Sequence, residues 1–297
     1  MSNKSILFFT ENAWAFGQIH NALVKRLWER GIYAHILDWR LNYTPLEVEC
    51  LKKKFDLWYT NPPQVPHLIH AFGIPPERIV TVAHAEVDIF KLVQSHSADV
   101  FNGLKAYGVI NPSMVEASKG FGVARVPDVV LNGIDFDHFY APISPKLKTV
   151  GYAGALHHIT SAGFDCKRRH LVERTMDGLP LAFHGHSFMH HLCMAGWYTD
   201  IDALLVPSSY EACGLPLMEA AAAGRLVISA QIGYFDGQSG VLVPLPENEW
   251  VANARAALLM HHNEPELYRV ACERSQQYAR DHFDWSNRIE NWVKLFE

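Results

Sequence analysis

The chain has no apolar run approaching the ~20 residues that a bilayer span needs, so no transmembrane segment is expected. Its opening, MSNKSILFF, carries an apolar stretch too short for a secretory signal, and polar residues follow at once. Cysteine is sparse. Cys50, Cys166, Cys193, Cys213 and Cys272 form no C-x-x-C pair and no metal-ligand spacing, a scatter that suggests reduced thiols in a cytoplasmic protein. Basic charge is not in excess: the formal net charge is −5, which argues against nucleic-acid binding driven by bulk electrostatics. No G-x-G-x-x-G follows the first strand pattern, so a nicotinamide-type fingerprint is missing. Internal repeats and low-complexity tracts are missing as well. What is present is 297 residues, 49% of them apolar, enough for two domains with substantial cores.

The most informative stretch is 203–244, ALLVPSSYEACGLPLMEAAAAGRLVISAQIGYFDGQSGVLVP. Ala203 to Val206 is long enough for a buried strand, and Pro207-Ser208-Ser209 breaks it. Gly214-Leu215-Pro216 sets up a helix start, because proline is tolerated in the first turn. The helix runs through Met218, Glu219 and alanines 220–223, with Gly224 as its stop. Leu226 to Ile228 reads as the next parallel strand. Open α/β sheets bind ligands at the carboxyl edge of their strands, and the helix start at Gly214 and Leu215 offers free amides and a dipole to an anion. Two carboxylates, Glu211 and Glu219, sit at the same mouth. They would repel a phosphate unless aimed at hydroxyls, so a ligand with phosphates at the amides and hydroxyl-rich rings beside them fits. That ligand is a nucleotide-sugar. Each glutamate alone also reads blandly, Glu219 as a dipole-complementing acid and Glu211 as a solvated loop residue.

Upstream, Ser5 to Thr10 predicts a first buried strand, followed by a loop and a helix with Ile19, Leu23, Leu27 and Trp28 at helical spacing. Gly17 at that helix start permits close backbone approach, or serves simply as a turn glycine. Tyr33 to Leu37 and Leu57 to Thr60 are strands, with a helix over 45–54 between them. Ile79 to Ala83 is a strand ending in His84, which places a histidine at the ligand-binding edge; a satisfied half-buried histidine is the alternative. The order suggests a parallel sheet with right-handed crossovers. Thr149 to Ala155 opens a second half, Leu181 to Phe183 forms a strand, and His184-Gly185-His186 is expected as the turn after it. Seventeen histidines include the pairs 157–158, 190–191 and 261–262. A zinc site needs three or four convergent ligands, and no metal is assigned.

Taken together, Pro207, Ser208, Glu211, Gly214, Leu215, Glu219, Ala220, Ala222 and Gly224 resemble the PS-x-x-E-x-x-G-L-x-x-x-E-A-x-A-x-G signature of retaining GT-B glycosyltransferases. That is the glycogen-synthase-like and sucrose-synthase-like group, glycosyltransferase family 4-like. Asn132-Gly133-Ile134-Asp135 with Phe139 resembles the N-G-V-D-x-x-x-F signature that ends the N-terminal domain of that group. The resemblance implies an α/β protein of two Rossmann-like doubly wound domains facing a central cleft. Residues 1–145 would be the acceptor-side domain and 146–280 the nucleotide-sugar domain, with a helix over about 281–297 packing back on the first.

The resemblance also assigns roles. Glu211 contacts the donor sugar, Glu219 holds the ribose, His84 lies near the reactive carbon, Gly17 faces the cleft, and His184 is near the base. In the group an arginine and a lysine before a glycine bind the donor pyrophosphate. Here Gly163 aligns with that glycine and alanine holds the lysine position, so one of Lys167, Arg168 and Arg169 takes the phosphates, or they form a solvated basic face. The implied activity is metal-independent sugar transfer with retention, from a UDP-, GDP- or TDP-linked donor to a hydroxyl, with no cofactor. A glycan, a lipid-linked sugar and modified DNA are all compatible acceptors. An epimerase of the same fold and a non-catalytic sugar-nucleotide-binding subunit are the competing readings. A homodimer contact or peripheral attachment at the inner membrane face through the amphipathic terminal helix is compatible with the pattern.

Overall fold

The computed structural model describes residues 4–12, 14–154, 165–186, 189–243 and 246–297. The aligned Gly163 and the pair His157-His158 lie outside them. The chain divides into two compact units, residues 1–133 with 285–297 and residues 134–284.

The first unit is built on six parallel strands: β1 (Ser5–Thr10), β2 (Tyr33–Asp38), β3 (Leu57–Thr60), β4 (Ile79–Ala83), β5 (Ala106–Val109) and β6 (Asp128–Val129). Their order is β2-β1-β3-β4-β5-β6. The strands form where apolar runs are bounded by polar or proline breaks, and β3 and β4 are buried at every position, as expected of a sheet covered on both faces. The helices between them are α1 (Trp14–Glu29), α2 (Pro45–Lys54), α3 (Glu86–Ser95), α4 (Val100–Gly103) and α5 (Ser113–Gly120). Thr44 and Glu47 form a reciprocal capping box at the start of α2, with Pro45 opening the helix.

The second unit opens with α6 (Phe136–Phe139) and carries five parallel strands: β7 (Thr149–Ala153), β8 (Ala182–His186), β9 (Ala203–Val206), β10 (Leu226–Ser229) and β11 (Val241–Leu242). They lie in the order β11-β10-β9-β7-β8. Its further helices are α7 (Arg169–Met176), α8 (His191–Thr199), α9 (Leu215–Ala222), α10 (Glu247–Asn263) and α11 (Pro265–His282). The core lies between the sheet and α7, α10 and α11, around Tyr152, Leu205, Ile228, Trp250, Leu258 and Tyr268. Among the described residues no helix is long and apolar enough to cross a membrane.

Residues 184–186 correct the sequence reading. His184-Gly185-His186 does not turn; it continues β8 in register with Gly151 to Ala153 of β7. A parallel partner already in place supplies ladder bonds that outweigh the turn tendency of a glycine between polar residues. Because β8 is an edge strand, His184 stays exposed.

Within the first unit the last helix, α12 (Ile289–Phe296), packs its apolar face on the sheet. Ile289, Trp292, Leu295 and Phe296 are buried, each contributing about 1.5–3 kcal/mol of apolar burial. Phe296 meets Phe8 and Tyr59 edge-on, and the Trp292 indole donates to the Leu131 carbonyl at 3.0 Å. Gly133 is required beside this segment, since a Cβ there would lie 2.8 Å from the Trp285 ring.

Candidate functional site

In the second unit the loops after the neighbouring strands β7 and β9 are drawn together. The Ser209 amide donates to the Cys166 carbonyl at 2.9 Å, tying loop to loop. Asp165 Oδ1 accepts from the amides of Lys167 (3.0 Å) and Arg168 (3.3 Å), folding the first loop on itself. Lys167 Nζ then reaches Glu211 Oε1 at 2.5 Å, and the same oxygen accepts from Ser208 Oγ at 2.9 Å. The Lys167 and Glu211 side chains are 22% and 14% exposed, partly desolvated yet still open to a ligand. Burial pushes the neighbouring Cys166 thiol up and holds the Tyr152 phenol protonated.

Arg168 takes the left-handed conformation, φ +50°, where every other positive-φ residue described is glycine. Such a backbone costs an L-residue roughly 1–2 kcal/mol. Its Nε pairs with Glu247 Oε1 at 3.3 Å, while its Nη1 is buried with no hydrogen-bond partner among the described residues. Arg168 thus pairs with Glu247 and Arg169 with Glu173 Oε1 at 3.0 Å, so that of the three sequence-predicted cations Lys167 is the one paired with Glu211.

The start of α9 lies directly after Glu211. Gly214 is its cap with φ +75°, and the Leu217 amide bonds back to the Gly214 carbonyl at 3.0 Å. Before that bond the helix has one amide without an intrahelical partner, that of Leu215, since Pro216 carries no N–H. Gly233 clamps this turn from outside: a Cβ there would stand 2.6 Å from the Cys213 carbonyl oxygen, and the Tyr234 amide donates to that oxygen at 3.2 Å. The alanines of α9 let it be buried on all sides. Glu219 is buried with it, 2% exposed, and accepts from the Tyr198 hydroxyl at 2.9 Å. Burial and that carboxylate push the Tyr198 phenol well up, so it stays a donor.

His184 lies apart on the β8 edge, its ring 5.9 Å from Trp197. In the first unit, Gly17 accommodates its own chain rather than open space, since a Cβ would lie 2.9 Å from the Asn12 backbone. His84 is buried, 5% exposed, with Nε2 3.0 Å from the Tyr59 hydroxyl. Burial pushes its imidazole down to about 3. Asp88 accepts from the His84 and Ala85 amides, both at 2.9 Å. Among the described residues no group of three or more His, Cys, Asp or Glu side chains converges on a metal position.

Sequence reasoning missed Asp165, Tyr198 and Glu247 as partners of the site. None carries a local signal. Ser208 stood in the quoted motif, but its bond to Glu211 emerges only from the turn.

Residues 136–261 match the family "Glycosyl transferases group 1". Comparison with curated proteins found no match. Among solved structures the chain is similar to HepE of Anabaena, solved in complex with UDP and glucose. The two share 13% identity and a TM-score of 0.69 over 98% of each chain. Sucrose-phosphate synthase from Thermosynechococcus elongatus is similar at 16% identity and TM-score 0.70, covering 99% of this chain and 98% of that one. The catalytic domain of starch synthase IV from Arabidopsis thaliana, bound to ADP and acarbose, gives 12% identity and TM-score 0.73 over 100% and 99%. At these identities the likeness speaks for the fold. Residues 136–261 thus resemble a group 1 glycosyltransferase domain, in a chain that shares the two-domain GT-B fold of these structures.

Proposed function

We propose that the protein is a retaining glycosyltransferase that moves a sugar from a nucleotide-sugar to a hydroxyl acceptor without a metal. The observation that carries this reading is the Lys167–Glu211–Ser208 cluster beside the start of α9. A cation, a carboxylate and the start of α9 lie at the carboxyl edge of adjacent parallel strands, where open α/β sheets take ligands. The nucleotides named with HepE and starch synthase IV, UDP and ADP, agree with a nucleoside diphosphate at such an edge.

The left-handed Arg168 sharpens the assignment of the phosphate residue. The group's pattern is a lysine before a glycine, and a left-handed residue is where glycine is favoured. Lys167 directly precedes that conformation, so it takes the lysine's role although the residue after it is arginine.

In the reaction the Lys167 ammonium and the Leu215 amide at the start of α9 stabilise the charge that grows on the departing diphosphate; such preorganised electrostatics is commonly the largest catalytic term. Glu211, released from Lys167, accepts hydroxyls of the donor sugar. Glu219, presented by Tyr198, takes the ribose. The acceptor oxygen attacks from the face that the leaving group vacates and passes its proton to the leaving phosphate, so the paired carboxylates of glycosidases are not needed.

The test is incubation with UDP-, ADP-, GDP- and TDP-glucose in EDTA, following nucleoside diphosphate release and the anomeric configuration of the product by NMR. One donor consumed with retention supports the reading. Inversion at the anomeric carbon, or turnover that requires a divalent cation, contradicts it. Conversion of the sugar with the nucleotide still attached would mark an epimerase instead.

A further inference from the structure

The two sheets end on the edge strands β2, β6, β8 and β11, and an edge presents backbone groups that have no neighbouring strand. β6 and β11 are only two residues long. β2 is blunted by side chains. The Tyr33 amide bonds to the Lys4 carbonyl at 3.2 Å, so the alternate residues Ala34 and Asp38 turn their carbonyls outward. The Trp28 indole caps the first at 2.6 Å and the Tyr43 hydroxyl caps the second at 2.7 Å.

β8 has no such cap among the described residues. The Ala182 amide donates to the Lys148 carbonyl at 2.9 Å, and the His186 carbonyl accepts from the Gly154 amide at 3.3 Å. Residues 182, 184 and 186 therefore face β7 with their backbone groups, and Phe183 and Gly185 turn amide and carbonyl outward. Ala182, Phe183 and His184 are exposed, Phe183 by 39%. The strand, AFHGH, carries no proline, lysine or acid that would deter pairing.

Its two faces differ. His184 and His186 meet Trp197, with ring centroids 5.9 Å and 4.5 Å away. Phe183 takes the opposite face, where it joins Glu173, Arg174, Met176 and Asp177 around an open hollow of about 490 Å³. Gly185 shares that face and leaves it bare, since a Cβ there would lie 2.8 Å from the Phe183 ring.

We propose that β8 pairs antiparallel with β8 of a second copy of this chain, about a two-fold axis at His184, so that two five-stranded sheets become one. The outward groups set the register. In an antiparallel ladder the residues that exchange both hydrogen bonds stand directly opposite each other. Phe183 opposite the second copy's Gly185, and the reverse, uses every outward amide and carbonyl of the two residues. Opposed residues share a face, so each ring covers a glycine of the other copy, a pairing that shields the bare backbone. Phe183 opposite Phe183 would crowd two rings together and leave both glycines uncovered.

A second copy fits better than an unrelated strand because the edge complements itself. Ring meets glycine in both directions, as an isologous contact requires. The hollow beside it holds both signs of charge, Arg174 with Glu173 and Asp177, so like faces are not driven apart. The terminal helix α12 does not compete for this role, because its apolar face is buried inside the first unit. So short a ladder covers less than the about 800 Å² per partner of a stable interface, which makes the association concentration-dependent.

The experiment is sedimentation velocity of the full chain over a concentration series, with amide hydrogen exchange at the low and high ends. The mass should rise from one chain toward two. The Phe183 and Gly185 amides should slow in step, while the outward Ile36 amide of β2 does not. Phe183→Lys should weaken association about tenfold or more with the melting temperature kept, since the bonds to β7 are untouched. Gly185→Pro, which removes one outward donor from an edge strand, should act in the same direction. A single-chain mass at every concentration overturns the proposal, and so does a dimer that Phe183→Lys leaves intact. A dimer in which the Phe183 and Gly185 amides exchange no more slowly overturns it too, whether or not the variants fold. No readout involves a nucleotide-sugar, so this inference and the transferase reading fail separately.

Discussion

The two units each place a polar group after a buried parallel strand, and they treat it in opposite ways. After β4, His84 is enclosed, neutral and held by a tyrosine. After β9, Glu211 is partly open, charged and held by a lysine. A neutral buried relay loses little to desolvation and fixes direction, because each proton has one place to sit. A half-open ion pair fixes less, because water still reaches Lys167 and Glu211, and the two part when a ligand offers each a better partner. The first cluster is built for orientation and the second for exchange.

Acid separates the two most strongly. His20 and His84 must stay neutral inside the fold but take up protons when unfolded, near the ordinary value of 6.5. The unfolded state therefore binds more protons as pH falls below about 6.5, and stability drops by up to about 1.4 kcal/mol per pH unit for each histidine. For His84 the loss continues to about 3. Asp88, held above the carboxylate range mainly by burial, acts in the opposite sense at the acid end of that window. Urea unfolding at pH 7 and pH 5 measures the effect, and His84→Asn should lower the pH slope by the share of one histidine.

Next in size is loss of the exchangeable cation. Lys167→Ala should reduce turnover by on the order of 10²–10³-fold, the range for removing one preorganised charge-stabilising donor, with little change in melting temperature. Glu211→Ala should lower turnover with nucleotide affinity nearly kept. Steady-state kinetics beside nucleotide titration separates these variants.

Glu219→Ala is expected to weaken nucleotide binding and also to destabilise the second unit. It removes the 2.9 Å bond from the buried Tyr198 hydroxyl and leaves that group the Pro216 carbonyl at 3.3 Å, a loss of about 1 kcal/mol for the bond. Unchanged nucleotide affinity in that variant would remove the ribose assignment. The smallest effect is expected from Arg168→Gly. Relief of the left-handed strain is worth about 1 kcal/mol, partly offset by loss of the Glu247 pair, and the net change is read by urea unfolding.

The comparison also shows what a sequence can and cannot reveal. β1, β3, β4 and β9 were legible because each is an apolar run with a hard break after it, such as Asn61-Pro62 or Pro207. α9 was legible from Gly214, Pro216 and the alanines. The cluster at Glu211 was half legible: the motif named Glu211, but the position of Lys167 depends on a left-handed arginine that no residue type announces. Gly163, which the motif offered as an anchor, lies outside the described residues. The buried hydrogen-bonded line that joins Thr10, His20, Tyr59 and His84 was not legible at all. Its members are spread over residues 10 to 84 and meet only because β1, β3 and β4 are neighbours in the sheet. The turn expected at 184–186 was misread because an edge strand extends through a glycine once its partner is in place.

The central claim is that Lys167 exchanges Glu211 for the diphosphate of a nucleotide. Calorimetric titration of UDP, ADP, GDP and TDP into the wild type, Lys167→Ala and His84→Asn, all in EDTA, tests it most directly. The account predicts that one nucleoside diphosphate binds the wild type and His84→Asn alike. Lys167→Ala should lose roughly tenfold or more in affinity, as expected for a hydrogen bond to a charged group. Equal affinity in Lys167→Ala, or no binding of any nucleotide to the wild type, would contradict it.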